Sequence, residues 1–140
     1  MVKFIVVGEP VAKGRPRFTR RGIAYTPKKT SEYEELVRLS YFASGARRYD
    51  DKTPLKMELK AYFPIPKHTS KIQVEKMEKG EILPIKKPDC DNLMKIVADS
   101  LNNIAYGDDK QITEMKITKR YSTTPRVEVE ISEHNQSVNN

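Results

Sequence analysis

The sequence predicts a single small α+β domain, a mainly antiparallel mixed sheet packed with two to three helices. Three observations carry that expectation. Leu55, Met57, Leu59, Ala61 and Phe63 alternate with Lys56, Glu58, Lys60 and Tyr62, the two-residue period of a strand with one face buried. Leu93, Ile96, Val97, Ser100, Leu101 and Ile104 recur at the 3.6-residue period of an amphipathic helix. A chain of 140 residues has room for one core and little more. We assign residues 1–132 to the domain and 133–140, from Glu133 through Asn140, to a frayed polar tail.

Taken in order, Val2–Val7 is a β-branched, mostly apolar run and reads as a central strand. Ile23–Thr26 is strand-like, inside a segment punctuated by Gly14, Pro16, Gly22 and Pro27, which argues for a loop or short hairpin. Ser31 and Glu34 have the spacing of a capping box, so a helix follows with Leu36, Val37, Ser40 and Tyr41 at helical intervals and Gly45 at its end. Pro64 and Pro66 stop the alternating strand that starts at Leu55. Thr69 or Ser70 then caps a short charged helix running to about Lys79. A further helix is expected from about Asn92 to Ile104. Finally, Met115–Tyr121 and Val127–Ile131 alternate on either side of Thr123-Thr124-Pro125, which reads as a β-hairpin.

Composition narrows the chemistry. One cysteine, Cys90, leaves no internal disulfide and no Cys-rich metal site, and two histidines do not make a zinc site. No apolar run approaches bilayer length and the N-terminus lacks a signal-peptide pattern, so a soluble protein of the cytoplasm is expected, without a membrane partner. The net charge of +7 suits a polyanion. Its distribution is uneven. Between Pro10 and Ser31 stand Lys13, Arg15, Arg17, Arg20, Arg21, Lys28 and Lys29 with no acid, interleaved with Phe18 and Tyr25. Guanidinium groups grip phosphate bidentately, and a loop of this kind suits a nucleic-acid backbone.

Against that background the acids between Lys87 and Lys110 stand out. On the expected helix Asp91, Lys95 and Asp99 step by four residues along the face opposite the apolar one. Asp89 and Asp91, two apart in an extended segment, point the same way. Asp108 and Asp109 follow the helix, after a turn at Gly107. The two clusters are separated by a helix about 20 Å long and meet only if the following loop folds back along it. Carboxylates alone select a hard cation, Mg²⁺ or Mn²⁺. Such a cation activates water in many phosphodiesterases, and Lys95 would offset charge on the phosphorus. Each piece also has an ordinary explanation. Asp and Asn cap helices, Asp91–Lys95 is a common i, i+4 pair, and Gly-Asp-Asp is turn chemistry.

The run Lys87-Pro88-Asp89-Cys90-Asp91-Asn92-Leu93-Met94-Lys95, with Asp99, Leu101 and Tyr106-Gly107-Asp108-Asp109-Lys110-Gln111-Ile112, resembles the signature of RusA-type Holliday junction resolvases. Gly8-Glu9-Pro10-Val11-Ala12-Lys13-Gly14-Arg15-Pro16-Arg17 is similar to that family's N-terminal segment, and the resemblance covers roughly residues 2–132. It implies a homodimeric, Mg²⁺-dependent endonuclease (Mn²⁺ a possible substitute) that cuts four-way DNA junctions and needs no small-molecule cofactor. By matched position, it implies metal-binding carboxylates at Asp89, Asp91 and Asp109 and an essential lysine at Lys95. Asp108 and Asp99 match further acidic positions. The Lys13–Lys29 segment, with Lys116, Lys119, Arg120 and Arg126, would hold phosphates around the branch. Phe18 or Tyr25 would wedge there unless they belong to the core. Two other readings remain: a branched or single-stranded DNA binder without chemistry, and a small-molecule phosphohydrolase.

Overall fold

In a computed structural model, residues 1–134 are described. The elements run β1 (Val2–Val7), β2 (Arg17–Phe18), β3 (Ala24–Tyr25), α1 (Lys28–Ala43), β4 (Leu55–Pro64), α2 (Lys71–Glu78), α3 (Cys90–Ser100), β5 (Ile112–Ser122) and β6 (Arg126–Glu133). Four strands form one sheet in the order β1-β6-β4-β5, and β2 and β3 form a separate two-stranded ribbon. The β1–β6 and β4–β6 pairs are antiparallel, and β4–β5 is parallel. This is the expected α+β class with a mixed sheet and three helices.

Two expectations about the sheet change. Val2–Val7 is an edge strand, not a central one: it pairs only with β6, and its odd positions stay outside the core, with Ile5 and Val7 exposed. The hairpin of the last two strands does not form either, because β4 lies between β5 and β6. The cause is the connection from β4 to β5. It carries α3, whose apolar face must lie on the sheet, so the chain returns to the same end of the sheet and enters β5 parallel to β4. The remaining edge of β4 is then taken by β6. Residues 123–125 cross the width of one strand, roughly 10 Å between β5 and β6. Arg126 secures this link, its Nη1 donating to Thr124 O at 2.8 Å and to Ser122 Oγ at 3.2 Å.

The helices differ from expectation mainly at their ends. α1 begins at Lys28, with Pro27 in the N-cap position and no capping side chain. The Ser31–Glu34 capping box is therefore absent, since Ser31 lies a turn inside the helix and its Oγ donates to Lys28 O. Gly45, at φ +72°, ends α1 as expected, its N–H donating to Phe42 O at 3.1 Å. Ser70 caps α2, accepting from the Gln73 N–H at 3.3 Å. α3 ends at Ser100, four residues before the expected stop, and Asn103 in the left-handed region (φ 64°) leads the chain out of the helical path.

The core lies between the inner face of the sheet and α1 with α3. Val6, Leu55, Met57, Leu59, Phe63 and Ile131 meet Val37 and Tyr41 of α1 and Ile96, Val97 and Leu101 around α3. The other face of α3 carries Asp91, Lys95 and Asp99, as its periodicity requires. β6 extends to Glu133, one residue past the expected domain limit, and the His134 N–H donates to Pro54 O. The rest of the expected tail, 135–140, lies outside the described residues. Among the described residues, 1–134, no helix is long and apolar enough to cross a membrane.

Candidate functional site

Asp89 occupies the N-cap of α3 in extended conformation, and its Oδ1 accepts from the Asn92 N–H at 3.2 Å. One carboxylate oxygen is thus used for capping and the other is left toward solvent. Asp91, in the first turn, sits where the helix dipole favours negative charge. The i, i+4 pair expected between Asp91 and Lys95 does not form. None of the ion pairs among the described residues involves Lys95, which stands exposed one turn further along.

The loop after α3 does fold back. Asp91, Lys95 and Asp109 line one shallow cleft of about 340 Å³, with Met94, Ala98, Ile112 and Met115 as its apolar floor. Ala105 and Tyr106 are fully buried, and the Tyr106 hydroxyl donates to Ala98 O at 2.7 Å, which holds the loop against α3. Two amides then fix the acidic turn. Asn102 Oδ1 accepts from the Asp109 N–H at 2.8 Å. Gln111 Oε1 accepts from Gly107 (2.8 Å) and Asp108 (3.1 Å), while its Nε2 donates to Asp50 O (2.7 Å) and Thr53 O (3.1 Å). Gln111, 8% exposed, therefore bolts the acidic turn to the start of β4. Neither amide was singled out from sequence. The available signal was Asp108-x-x-Gln111, a capping-box spacing, which the structure forms at the single helical turn Asp109–Gln111.

Asp109 has the carboxyl groups of Asp99 and Asp108 as neighbours. Burial first, and then these two acids, push its pKa up to about 6. Asp108, exposed, is held below the usual range by the Lys110 N–H, which donates to its Oδ1 at 2.9 Å, and by the neighbouring Asp109 carboxyl. Of these three carboxylates Asp99 meets the Lys13 ammonium at 3.5 Å, and a divalent cation would match the negative charge that remains. The donor chemistry fits a hard cation: carboxylate oxygens, no thiolate or imidazole. The described residues contain no group of three Asp, Glu, His or Cys side chains drawn together tightly enough to enclose an ion. Asp91 and Asp109 share the cleft, whereas Asp89 stands at its N-cap and does not line it.

The cations fall into distinct groups. Residues 15–26 are exposed throughout, so the β2–β3 ribbon projects Arg15, Arg17, Arg20 and Arg21 away from the body, with Phe18 and Tyr25 in solvent and not in the core. Lys28 and Lys29 follow at the start of α1, Lys28 loosely paired with Glu32 at 3.7 Å. Lys13 is not free: its Nζ is 2.7 Å from Glu34 and 3.5 Å from Asp99. By strand alternation Lys119 shares the helix-covered face of the sheet with Met115, while Lys116 and Arg120 point to the opposite face. Lys119 donates to Lys86 O at 2.6 Å beside the Phe63 ring, Lys116 pairs with Glu58, and the Arg120 guanidinium packs against Gly80. Arg126 stacks over Tyr62. The set expected to act together on DNA is thus divided between the ribbon and two faces of the sheet.

Residues 7–132 match the family model described as endodeoxyribonuclease RusA. The chain is also 45% identical over 138 residues to YqaN, an uncharacterized protein of Bacillus subtilis (strain 168), covering 94% of this chain and 96% of that one.

Proposed function

Because the chain belongs to the RusA endodeoxyribonuclease family, we propose that it resolves four-way DNA junctions by Mg²⁺-dependent hydrolysis of paired phosphodiester bonds. The observation that supports this most is the returned loop, which puts Asp109 into one cleft with Asp91 and Lys95. Asp91 and Asp109 would hold the cation, with the free oxygen of Asp89 as a third donor. When bound, that ion would lower the pKa of a coordinated water and neutralise charge on the phosphate. Lys95, exposed and without an ion pair, presents its ammonium to the scissile phosphate and stabilises charge that develops there. The apolar floor of Met94, Ile112 and Met115 lies beneath these charges.

The arginines of the ribbon bind phosphates on either side of the branch, contacts that give affinity and position without reading bases. A four-way junction has two-fold symmetry, and each protomer holds one acidic cleft. Two opposed nicks therefore call for a homodimer.

The test is cleavage of a labelled immobile four-way junction beside a linear duplex of the same sequence, with Mg²⁺ or EDTA. Symmetric nicks in the junction alone, lost in EDTA and in Asp91→Asn, are expected. Tight binding without cutting, over junctions covering many dinucleotide steps, would replace this reading with that of a binding protein.

A further inference from the structure

Lys13 reads from sequence as the first of seven cations that grip phosphate, and its surroundings assign it differently. Its side chain is 24% exposed, against 89% for Lys28 at the other end of the same basic stretch. Its Nζ bridges two acids from different helices, Glu34 of α1 and Asp99 of α3, themselves 14% and 28% exposed. Its backbone N–H donates to Asn92 O at 3.3 Å, and the next N–H, of Gly14, donates to Thr30 Oγ1 at 3.0 Å. Lys13 is thus tied to α3 at two points, at Asn92 beside Asp91 and at Asp99, about two turns apart. Asp99 O in turn accepts from the Asn102 N–H at 3.2 Å, and Asn102 Oδ1 accepts from the Asp109 N–H at 2.8 Å. The chain of contacts runs from Glu34 through Lys13 and Asp99 to a carboxylate that lines the cleft.

We propose that Lys13 is a positioning residue of the cleft and not a DNA contact: its ammonium, clamped by Glu34, offsets the charge of Asp99 and so orients Asp99 against Asp109. This rests on the nuclease reading and deepens it. A phosphate that takes the place of Asp99 on Lys13 leaves that carboxylate unpaired in a half-buried site, which disfavours DNA binding there. With Lys13 in place, Asp109 has a neighbour whose negative charge is already partly matched. Without it, Asp99 and Asp109 repel each other and the cleft opens.

Two readouts separate this role from phosphate binding. Junction affinity is measured in EDTA across a salt series for wild type, Lys13→Met and Arg17→Ala. Arg17→Ala should flatten the salt slope by about one unit, and Lys13→Met should leave slope and affinity unchanged. Junction cleavage with Mg²⁺ is measured in parallel. There Lys13→Met should lower kcat roughly 10- to 100-fold, the usual loss on removing a partner that orients a metal ligand, with KM little changed. Lys13→Arg, which keeps the charge, should recover most of it. If Lys13→Met melts too low to assay, Glu34→Gln carries the same test, with kcat down and the salt slope unchanged. A slope flattened in Lys13→Met as in Arg17→Ala, or an unaltered kcat, overturns the proposal. The binding arm needs no metal and no turnover, so it decides the position of Lys13 even if wild type cuts nothing, the outcome that would sink the nuclease reading instead.

Discussion

Replacing Gln111 by Leu keeps the volume of a buried side chain and deletes the four hydrogen bonds that hold the acidic turn. Two of them, from Nε2, end on carbonyls at the entrance to β4, and two, to Oε1, come from the amides of Gly107 and Asp108. A hydrogen bond contributes on the order of 1 kcal/mol net, and an orphaned buried partner costs more. Gly107 is half-buried and Asp108 exposed, so water recovers part of the loss and roughly 3–4 kcal/mol remains. For a domain of this size that lowers Tm by about 10 °C or somewhat more. The loss is local first. The Gly107 and Asp108 amides should exchange with solvent far faster than those of α3, because opening the turn no longer needs the whole domain to unfold. Asp109, on the same turn, then loses its fixed place, and cleavage should fall by about two orders of magnitude. Asn102→Ala, which removes one bond to the Asp109 N–H, should cost only about 1 kcal/mol. A Gln111→Leu protein that melts within about 2 °C of wild type, or keeps its Gly107 amide protected, would refute the idea that this amide holds the turn.

Asp109→Asn should stabilise the metal-free protein while abolishing cleavage. With a folded pKa near 6, the group favours folding when protonated. Wild type therefore loses stability from about pH 4 to pH 6, and the advantage of Asn is full above that window, about 1–2 kcal/mol after solvent screening. Equal melting of the two proteins from pH 4 to pH 8 would contradict this. Lys95→Met should lower kcat by roughly 10²-fold or more with junction affinity nearly unchanged, a separation read by single-turnover cleavage beside binding in EDTA. Leu39 and Phe42 are 56% and 59% exposed on the outer side of α1. Replacing both by Glu should convert the expected dimer to a monomer in light scattering and turn paired nicks into independent single ones. A persistent dimer would place the interface elsewhere.

What was legible in the sequence is what depends on local period. Leu93, Ile96, Val97 and Leu101 declared the buried face of α3 and so the exposed row of Asp91, Lys95 and Asp99. Leu55–Phe63 declared a strand with one face in the core. Chain reversals were not legible in the same way. The last two strands read as a hairpin because three turn-forming residues join them, and the same three residues also suffice to step across a strand. Which occurs is decided more than thirty residues earlier, where the chain between β4 and β5 takes in α3. Val2–Val7 read as central because Ile5 and Val7 are apolar, although they sit on its exposed side.

The cationic stretch shows a second limit. Counting charges treats Lys13, Arg15, Arg17, Arg20, Arg21, Lys28 and Lys29 as equally available. Availability depends on what each side chain already touches, and an acid that matters can lie far away: Glu34 is 21 residues from Lys13, and Asp99 comes much later still. Glu34 itself fitted a capping box, a local pattern that competed with the long-range pair and lost, because α1 starts three residues before Ser31. The acidic site follows the same logic. The helical period fixes three charged side chains in a row. Only the buried Tyr106 and Gln111, with the half-buried Asn102, bring the fourth, Asp109, back to them. Polar side chains of that kind carry no period, so their part in the site emerges from the packing of the loop.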